Sequence, residues 1–276
     1  HMLVLSATPI PRTLALILYG DLDVSVIDEL PPGRKPVETF LVSTAYRARL
    51  YGFIRRQTQE GHQVYVVCPA VEENEGTNLT AAETEYQTLQ AVFPDLRVGL
   101  VHGKLRAEAK DHAMDRFLNH ETDILVATTV IEVGVDVKNA TLMIVLDADR
   151  FGLSQLHQLR GRVGRNAEKS YCVLVSDNRN PDTRKRLNAL CSTNDGFAIS
   201  QEDLDLRGPG DFFGQRQSGL PMFRHASLTE DISVLKEAQE AAERFLATEP
   251  DPESPEFAPL FTRVHRLFAQ ADDTFN

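Results

Sequence analysis

The sequence predicts an α/β fold: a parallel sheet flanked by helices, followed by a smaller, mostly helical C-terminal region with a helical hairpin. Three observations carry this expectation. From about Thr39 short β-rich runs alternate with helical stretches, the signature of βαβ units. Six such runs occur, enough for one open sheet. After Val175 they stop, and only helix signals follow.

Each element has a local reason. Strands are expected at 39–42, 64–67, 98–101, 124–127, 142–146 and 171–175, where β-rich runs recur. Between them lie helical stretches around 45–60, 81–93, 106–119 and 156–162, whose connections cross the sheet faces. Asn180-Pro181 offers an N-cap followed by proline at the first helical position. Ser200 with Asp203 resembles a capping box, which starts a second helix before the Gly-rich stretch Arg207-Gly208-Pro209-Gly210. Ile232, Leu235, Ala242, Phe245 and Leu246 share one helix face, and residues 249–259, with Pro250, Pro252, Pro255 and Pro259, read as a linker.

Composition narrows the class. The chain has 276 residues, of which 42% are hydrophobic and 25% charged, so most of it should bury a core. The longest apolar runs fall far short of the roughly 18 residues that span a bilayer, and no membrane segment is expected. Cys68, Cys172 and Cys191 are widely spaced and match no zinc pattern, which points to a reducing cytoplasm. The net charge of −11 argues at first against nucleic acid. Its distribution softens that argument: residues 228–276 hold 11 Asp/Glu against 4 Lys/Arg, whereas residues 138–224 are locally +3. His1-Met2 ahead of Leu3-Val4-Leu5 is no signal peptide and reads as a cloning remnant, so the natural chain is expected to continue upstream.

Three stretches carry candidate chemistry. After the run at 124–127 come Thr128, Thr129, Glu132, Gly134 and Asp136, hydroxyls and carboxylates at a strand end where ligands of parallel sheets collect. The stretch 158–165 places Arg160, Arg162 and Arg165 in a glycine-punctuated turn. Arg162 and Arg165, three apart, are expected to share a helical face and brace a transferring phosphoryl group. The stretch 207–219 combines glycines with Arg207, Gln215, Arg216 and Gln217, suited to phosphate oxygens. Each also reads as ordinary structure: a βα loop, a solvated charged face, a surface loop. There is no P-loop; the nearest lookalike, 99–105, has a short glycine spacing and Leu105 where the metal-binding hydroxyl belongs. Asp28-Glu29-Leu30-Pro31 mimics an acidic metal box but ends on proline, and no zinc cluster, G-x-S-x-G or G-x-G-x-x-G is present.

These residues together resemble superfamily 2 helicases of the RecG branch-migration type. Residues 6–12 (Ser-Ala-Thr-Pro-Ile-Pro-Arg) look like motif III, 66–69 like the motif IV region, 128–136 like motif V and 158–165 like motif VI. His102-Gly103-Lys104 looks like a further family loop, and 205–219 like the translocation motif. The lead-in 151–157 and that motif are shared with transcription-repair coupling factors; Gly219-Leu220-Pro221-Met222-Phe223 favours the RecG type. The resemblance implies a second RecA-like motor domain at 31–179, a remnant of the first with its linker at 1–30, hairpin and translocation motif at 180–227, and C-terminal helices with an acidic linker at 228–276.

It also implies roles. Arg162 and Arg165 would meet the γ-phosphate of ATP, Gln158 and Glu132 would organise that network, Gly134 would lie on the nucleotide side, and Asp136 would meet the ribose or an arginine. Arg207, Gln215, Arg216 and Gln217 would couple the hairpin to the motor, and Thr128, Thr129 and His102 would touch DNA phosphates. The P-loop and Mg2+ ligands belong to a first motor domain upstream, beside a wedge domain, so this chain alone is expected to be inactive. The implied partner is branched double-stranded DNA at forks and Holliday junctions, handled by a monomer in a bacterial cytoplasm, at the nucleoid. Two alternatives stand: the same part of a coupling factor, and a non-catalytic nucleic-acid-binding module.

Overall fold

All six β-rich runs become strands of one parallel sheet. They are β1 (Glu38–Val42), β2 (Gln63–Val67), β3 (Val98–Val101), β4 (Ile124–Ala127), β5 (Ala140–Val145) and β6 (Tyr171–Val175), in the order β1-β6-β5-β2-β4-β3. The computed structural model describes residues 33–69, 81–129, 137–207 and 232–272, with Leu3, Ser25 and Ile27. The expected motif III and acidic lookalike, residues 130–136 and residues 208–231 lie outside that set.

Helices cover both faces. They are α1 (Arg47–Gln59), α2 (Ala81–Val92), α3 (Ala107–Leu118), α4 (Leu153–Arg160), α5 (Pro181–Ser192) and α6 (Gly196–Arg207). Side chains alternate across a strand, so Val64 and Val66 of β2 face α1 and α2, while Tyr65 and Val67 face α3, α4 and α5. The first cluster is closed by Leu50, Ile54 and Leu89, the second by Phe117, Leu156, Leu159 and Leu190. With water excluded from both sides, β2, β4 and β5 are buried at every residue, which is why their sequences are apolar except for Gln63 and Thr141. Gln63 is the polar member of β2, and its Nε2 donates to the carbonyls of Phe117 (2.6 Å) and Thr122 (2.8 Å).

Two local expectations change and one holds. The helix expected at 156–162 runs from Leu153 to Arg160, so its last residue precedes Arg162. The second helix of the hairpin begins at Gly196, not Ser200. Asp195 Oδ1 accepts the Phe197 N–H at 2.9 Å, and Ser200 and Asp203 are buried inside the helix. Asn180 does cap α5, its Oδ1 accepting the N–H groups of Asp182 (2.8 Å) and Thr183 (3.4 Å).

The chain divides into two compact units, one holding the sheet and its helices to Asp203, the other beginning within α6 and holding α7 (Ile232–Leu246) and α8 (Ala258–Asp272). The stretch read as a linker is a tight set of turns. Asp251 Oδ1 accepts the Glu253 N–H at 3.0 Å, and Phe245 packs edge-on against Phe257 at 5.2 Å. Aromatic contact fixes the angle between α7 and α8 despite the prolines.

Candidate functional site

The arginines of the glycine-punctuated turn take different roles. Helix α4 turns Leu153, Leu156, Leu159 and Arg160 inward. Arg160 lies seven residues after Leu153 and four after Leu156, so it falls on the buried stripe, only 3% exposed. Its Nη1 donates to the carbonyls of Leu190 (2.7 Å) and Thr193 (2.8 Å). Those carbonyls end α5, where helix geometry leaves acceptors unfilled and favours a cation. Nη2 lies 3.1 Å from His157 Nδ1. Burial, and then the adjacent Arg160 charge, hold His157 down at about 4, so the ring is neutral near pH 7 and accepts at Nδ1.

Beyond Arg160 the chain turns sharply. Gly164 has φ +71°, and a Cβ there would stand 2.7 Å from Val37 Cγ2, so both backbone and space require glycine. Arg34 braces the turn, its Nε donating to the Gly164 carbonyl (2.8 Å) and its Nη2 to that of Gly161 (3.3 Å). Arg165 Nε donates to Gly161 at 3.0 Å, and Asn166 Nδ2 to Lys138 at 2.8 Å. Arg162 and Arg165 are therefore half-buried on a backbone-locked turn, which corrects the expected shared helical face. Gln158 is half-buried in the last turn of α4. Val37 and Ser170 immediately precede β1 and β6, and Lys138 stands two residues before β5, so this turn sits at the amino edge of the sheet.

His102 and Thr128 sit at the other edge. They follow β3 and β4, and Thr128 N–H donates to Val101 at 3.1 Å. Each is 6% exposed, whereas Thr129 is half-buried. His102 Nε2 is 3.7 Å from Glu83 Oε1, and its buried Nδ1 has no hydrogen-bond partner among the described residues. The arginine turn and these residues thus lie at opposite ends of the strands and toward opposite sides of the sheet, the turn by β1 and β6 and the pair by β3 and β4. A cavity of about 270 Å³ opens at this carboxyl edge, lined by residues including Val66, Cys68 and Pro69 of the motif IV region. Of its three charged groups, Arg47, Glu85 and Asp147, the first two pair with each other, and burial pushes the Cys68 thiol up to about 12, too high for a reactive thiolate.

Sequence reasoning missed the residues that tie the turn to the hairpin. Arg186 of α5 donates to the carbonyls of Asp149 (2.6 Å) and Phe151 (2.7 Å), just before α4. With Arg160 it fastens α5 to both ends of α4. The available signal was positional: a charged residue on an apolar stripe. Glu132, Gly134, Asp136, Gln215, Arg216 and Gln217 lie outside the described residues, and Arg207 is described only as the last residue of α6. Among the described residues no group of three or more His, Cys, Asp or Glu is arranged to hold a metal ion.

Comparisons with known proteins agree with this layout. Residues 45–167 match the helicase conserved C-terminal domain, and residues 193–272 match the C-terminal part of domain 3 of ATP-dependent DNA helicase RecG. The chain is 52% identical over 255 residues to ATP-dependent DNA helicase RecG of Synechocystis sp., covering 92% of this chain and 31% of that one. To the Bacillus subtilis protein of the same name it is 46% identical over 260 residues, covering 94% and 38%. A solved structure of RecG bound to a three-way DNA junction superposes with a TM-score of 0.67 at 44% identity, covering 83% of this chain and 30% of that one. The chain spans about a third of the length of these relatives.

Proposed function

The chain is of the RecG type with a RecA-like parallel sheet, and from that premise we propose that it is the C-terminal motor part of an ATP-dependent double-stranded DNA translocase that remodels branched DNA. The observation that carries this reading is the braced arginine turn fastened by Arg160 and Arg186 to the α5–α6 hairpin. Half-buried guanidiniums on a rigid turn suit phosphate oxygens, so the donor set fits a nucleotide triphosphate. ATP with Mg2+ supplies the phosphoryl-transfer chemistry when bound, and its metal ligands are assigned to a preceding motor domain. Arg162 and Arg165 act as the finger wall of a shared cleft, offsetting charge on the γ-phosphate, with Gln158 and Glu132 organising the pair and Gly134 and Asp136 on the nucleotide side.

Motion of the turn reaches the hairpin through the carbonyls of Leu190 and Thr193, and from there Arg207, Gln215, Arg216 and Gln217 convert it into stepping on the duplex. Thr129, the most open of the carboxyl-edge candidates, makes the DNA phosphate contact, with Thr128 and His102 behind it. The junction-bound relative supports forks and Holliday junctions as substrates. Bacterial relatives and three free thiols support the cytoplasm, at the nucleoid, as the compartment.

Fork-stimulated ATP hydrolysis tests the shared cleft. This chain alone is expected to be inert, and a protein extended upstream to turn over; hydrolysis by the chain alone would remove the half-site reading.

A further inference from the structure

We propose that the outer face of α1 is a docking strip for the sugar-phosphate backbone of duplex DNA, separate from the motor motifs. The proposal rests on the DNA-translocase reading and adds a contact surface to it. Residues 39–59 contain Arg47, Arg49, Arg55 and Arg56 and no Asp or Glu, within a chain whose net charge is −11. Two of the four are committed inside the domain. Arg47 pairs with Glu85 and donates to the Tyr51 hydroxyl at 2.6 Å, and Arg55 pairs with Asp95.

Arg49 and Arg56 are different. Both are exposed, and neither pairs with a carboxylate among the described residues. Each is held over an aromatic ring, Arg49 Cζ 5.2 Å from the Tyr46 centroid and Arg56 Cζ 4.9 Å from that of Phe53. Seven residues apart, they lie on one face of the helix, about 10.5 Å apart along its axis. Between them Gly52 is exposed, and a Cβ added there would meet nothing within 4 Å. Glycine in an exposed helix interior costs about 1 kcal/mol relative to alanine, so this position gives up helix stability and leaves the backbone open to close approach.

The occupant follows from the chemistry. Two guanidiniums free of carboxylates call for an anion with planar, paired oxygens, and phosphate fits that fork. Their separation corresponds to about three rises of the duplex at roughly 3.4 Å of helix axis per phosphate of one strand, so the two guanidiniums can meet different phosphates. Ring stacking pre-orders both side chains, which lowers the cost of docking. The strip lies over the sheet face opposite α4, so it is not part of the arginine turn.

The test is duplex binding by the 276-residue chain and its Arg49→Gln/Arg56→Gln variant, followed by fluorescence anisotropy from 25 to 200 mM salt. The variant is expected to bind more weakly, with the slope of log affinity against log salt reduced by about 1.8, at an unchanged melting temperature. Equal affinity and slope would overturn the proposal, and so would absence of duplex binding by the unmodified chain at the lowest salt. Gly52→Cys carrying a photo-crosslinker gives a second reading. Crosslinking to DNA supports the strip; crosslinking only to acidic segments of the protein, with DNA present, rejects it. ATP turnover of the upstream-extended protein reports on the motor reading independently, because Arg49 and Arg56 lie outside the arginine turn.

Discussion

The two edges of the sheet are finished to different degrees. At the amino edge the carbonyls around the turn after α4 are filled by guanidiniums: Arg34 and Arg165 donate to that of Gly161, Arg34 also to that of Gly164, and Arg160 to those of Leu190 and Thr193. At the carboxyl edge His102 keeps a buried nitrogen with no hydrogen-bond partner among the described residues, and a cavity stands where β2, β5 and β6 end. A buried polar atom left unpaired costs about 1–3 kcal/mol, and both edges carry such a cost, because His62 Nδ1 and Ser170 Oγ at the amino edge also lack a partner among the described residues; the open cavity is what sets the carboxyl edge apart. The contrast teaches that the arginine geometry is set within this domain before any ligand arrives, as charge stabilisation in a transition state requires.

The largest expected effect breaks the amino edge chemically. Arg165→Ala in the upstream-extended protein is expected to cut ATP turnover by about 10³-fold or more, the range of a lost arginine finger, while the melting temperature holds. Unchanged turnover would take Arg165 out of the site. Next in size is Gly164→Ala, which sets an L-residue at φ +71° with its Cβ against Val37. A loss of about 2–3 kcal/mol in urea unfolding is expected, and a loss below about 0.5 kcal/mol would show that the turn yields.

A pH series sharpens the same edge. His157 sits at about 4 in the fold against an ordinary value of 6.5, so the unfolded chain takes up the proton first as pH falls. Its contribution is therefore intact above pH 6.5, is lost progressively toward pH 4, and levels off below. His157→Gln should flatten the urea midpoint over that window; an identical pH profile would mean the imidazole is not held neutral beside Arg160. The smallest effect belongs to the carboxyl edge. His102→Phe is expected to change stability by less than about 1 kcal/mol, because relief of the unpaired Nδ1 offsets the lost Nε2 contact with Glu83. A large loss on urea unfolding would show that this edge is as tightly built as the other.

Much of the fold was legible because burial on both sheet faces writes itself as unbroken apolar runs, as at Val64–Val67 and Ile124–Ala127. The limits of α4 were not, because Leu153 and Ser154 look like loop and Gly161-Arg162 like helix until the start of α4 is set by the Arg186 bonds to Asp149 and Phe151. Ser200 and Asp203 had the right spacing for a cap and the wrong environment, since burial of Ile199 draws that turn into the helix.

The sequence by itself determined the class of the sheet, the order of its elements and which residue types gather in the arginine turn, because periodicity and local turn chemistry depend on neighbours in the chain. Only the tertiary structure decided that Arg160 is a buried tie while Arg162 and Arg165 remain half-buried, and that the turn lies at the opposite edge of the sheet from His102 and Thr128. Three arginines within six residues are chemically alike. What separates them is that the carbonyls of Leu190 and Thr193, 30 or more positions away, arrive beside Arg160, while the Arg34 guanidinium from the segment before β1 braces the turn that carries the other two.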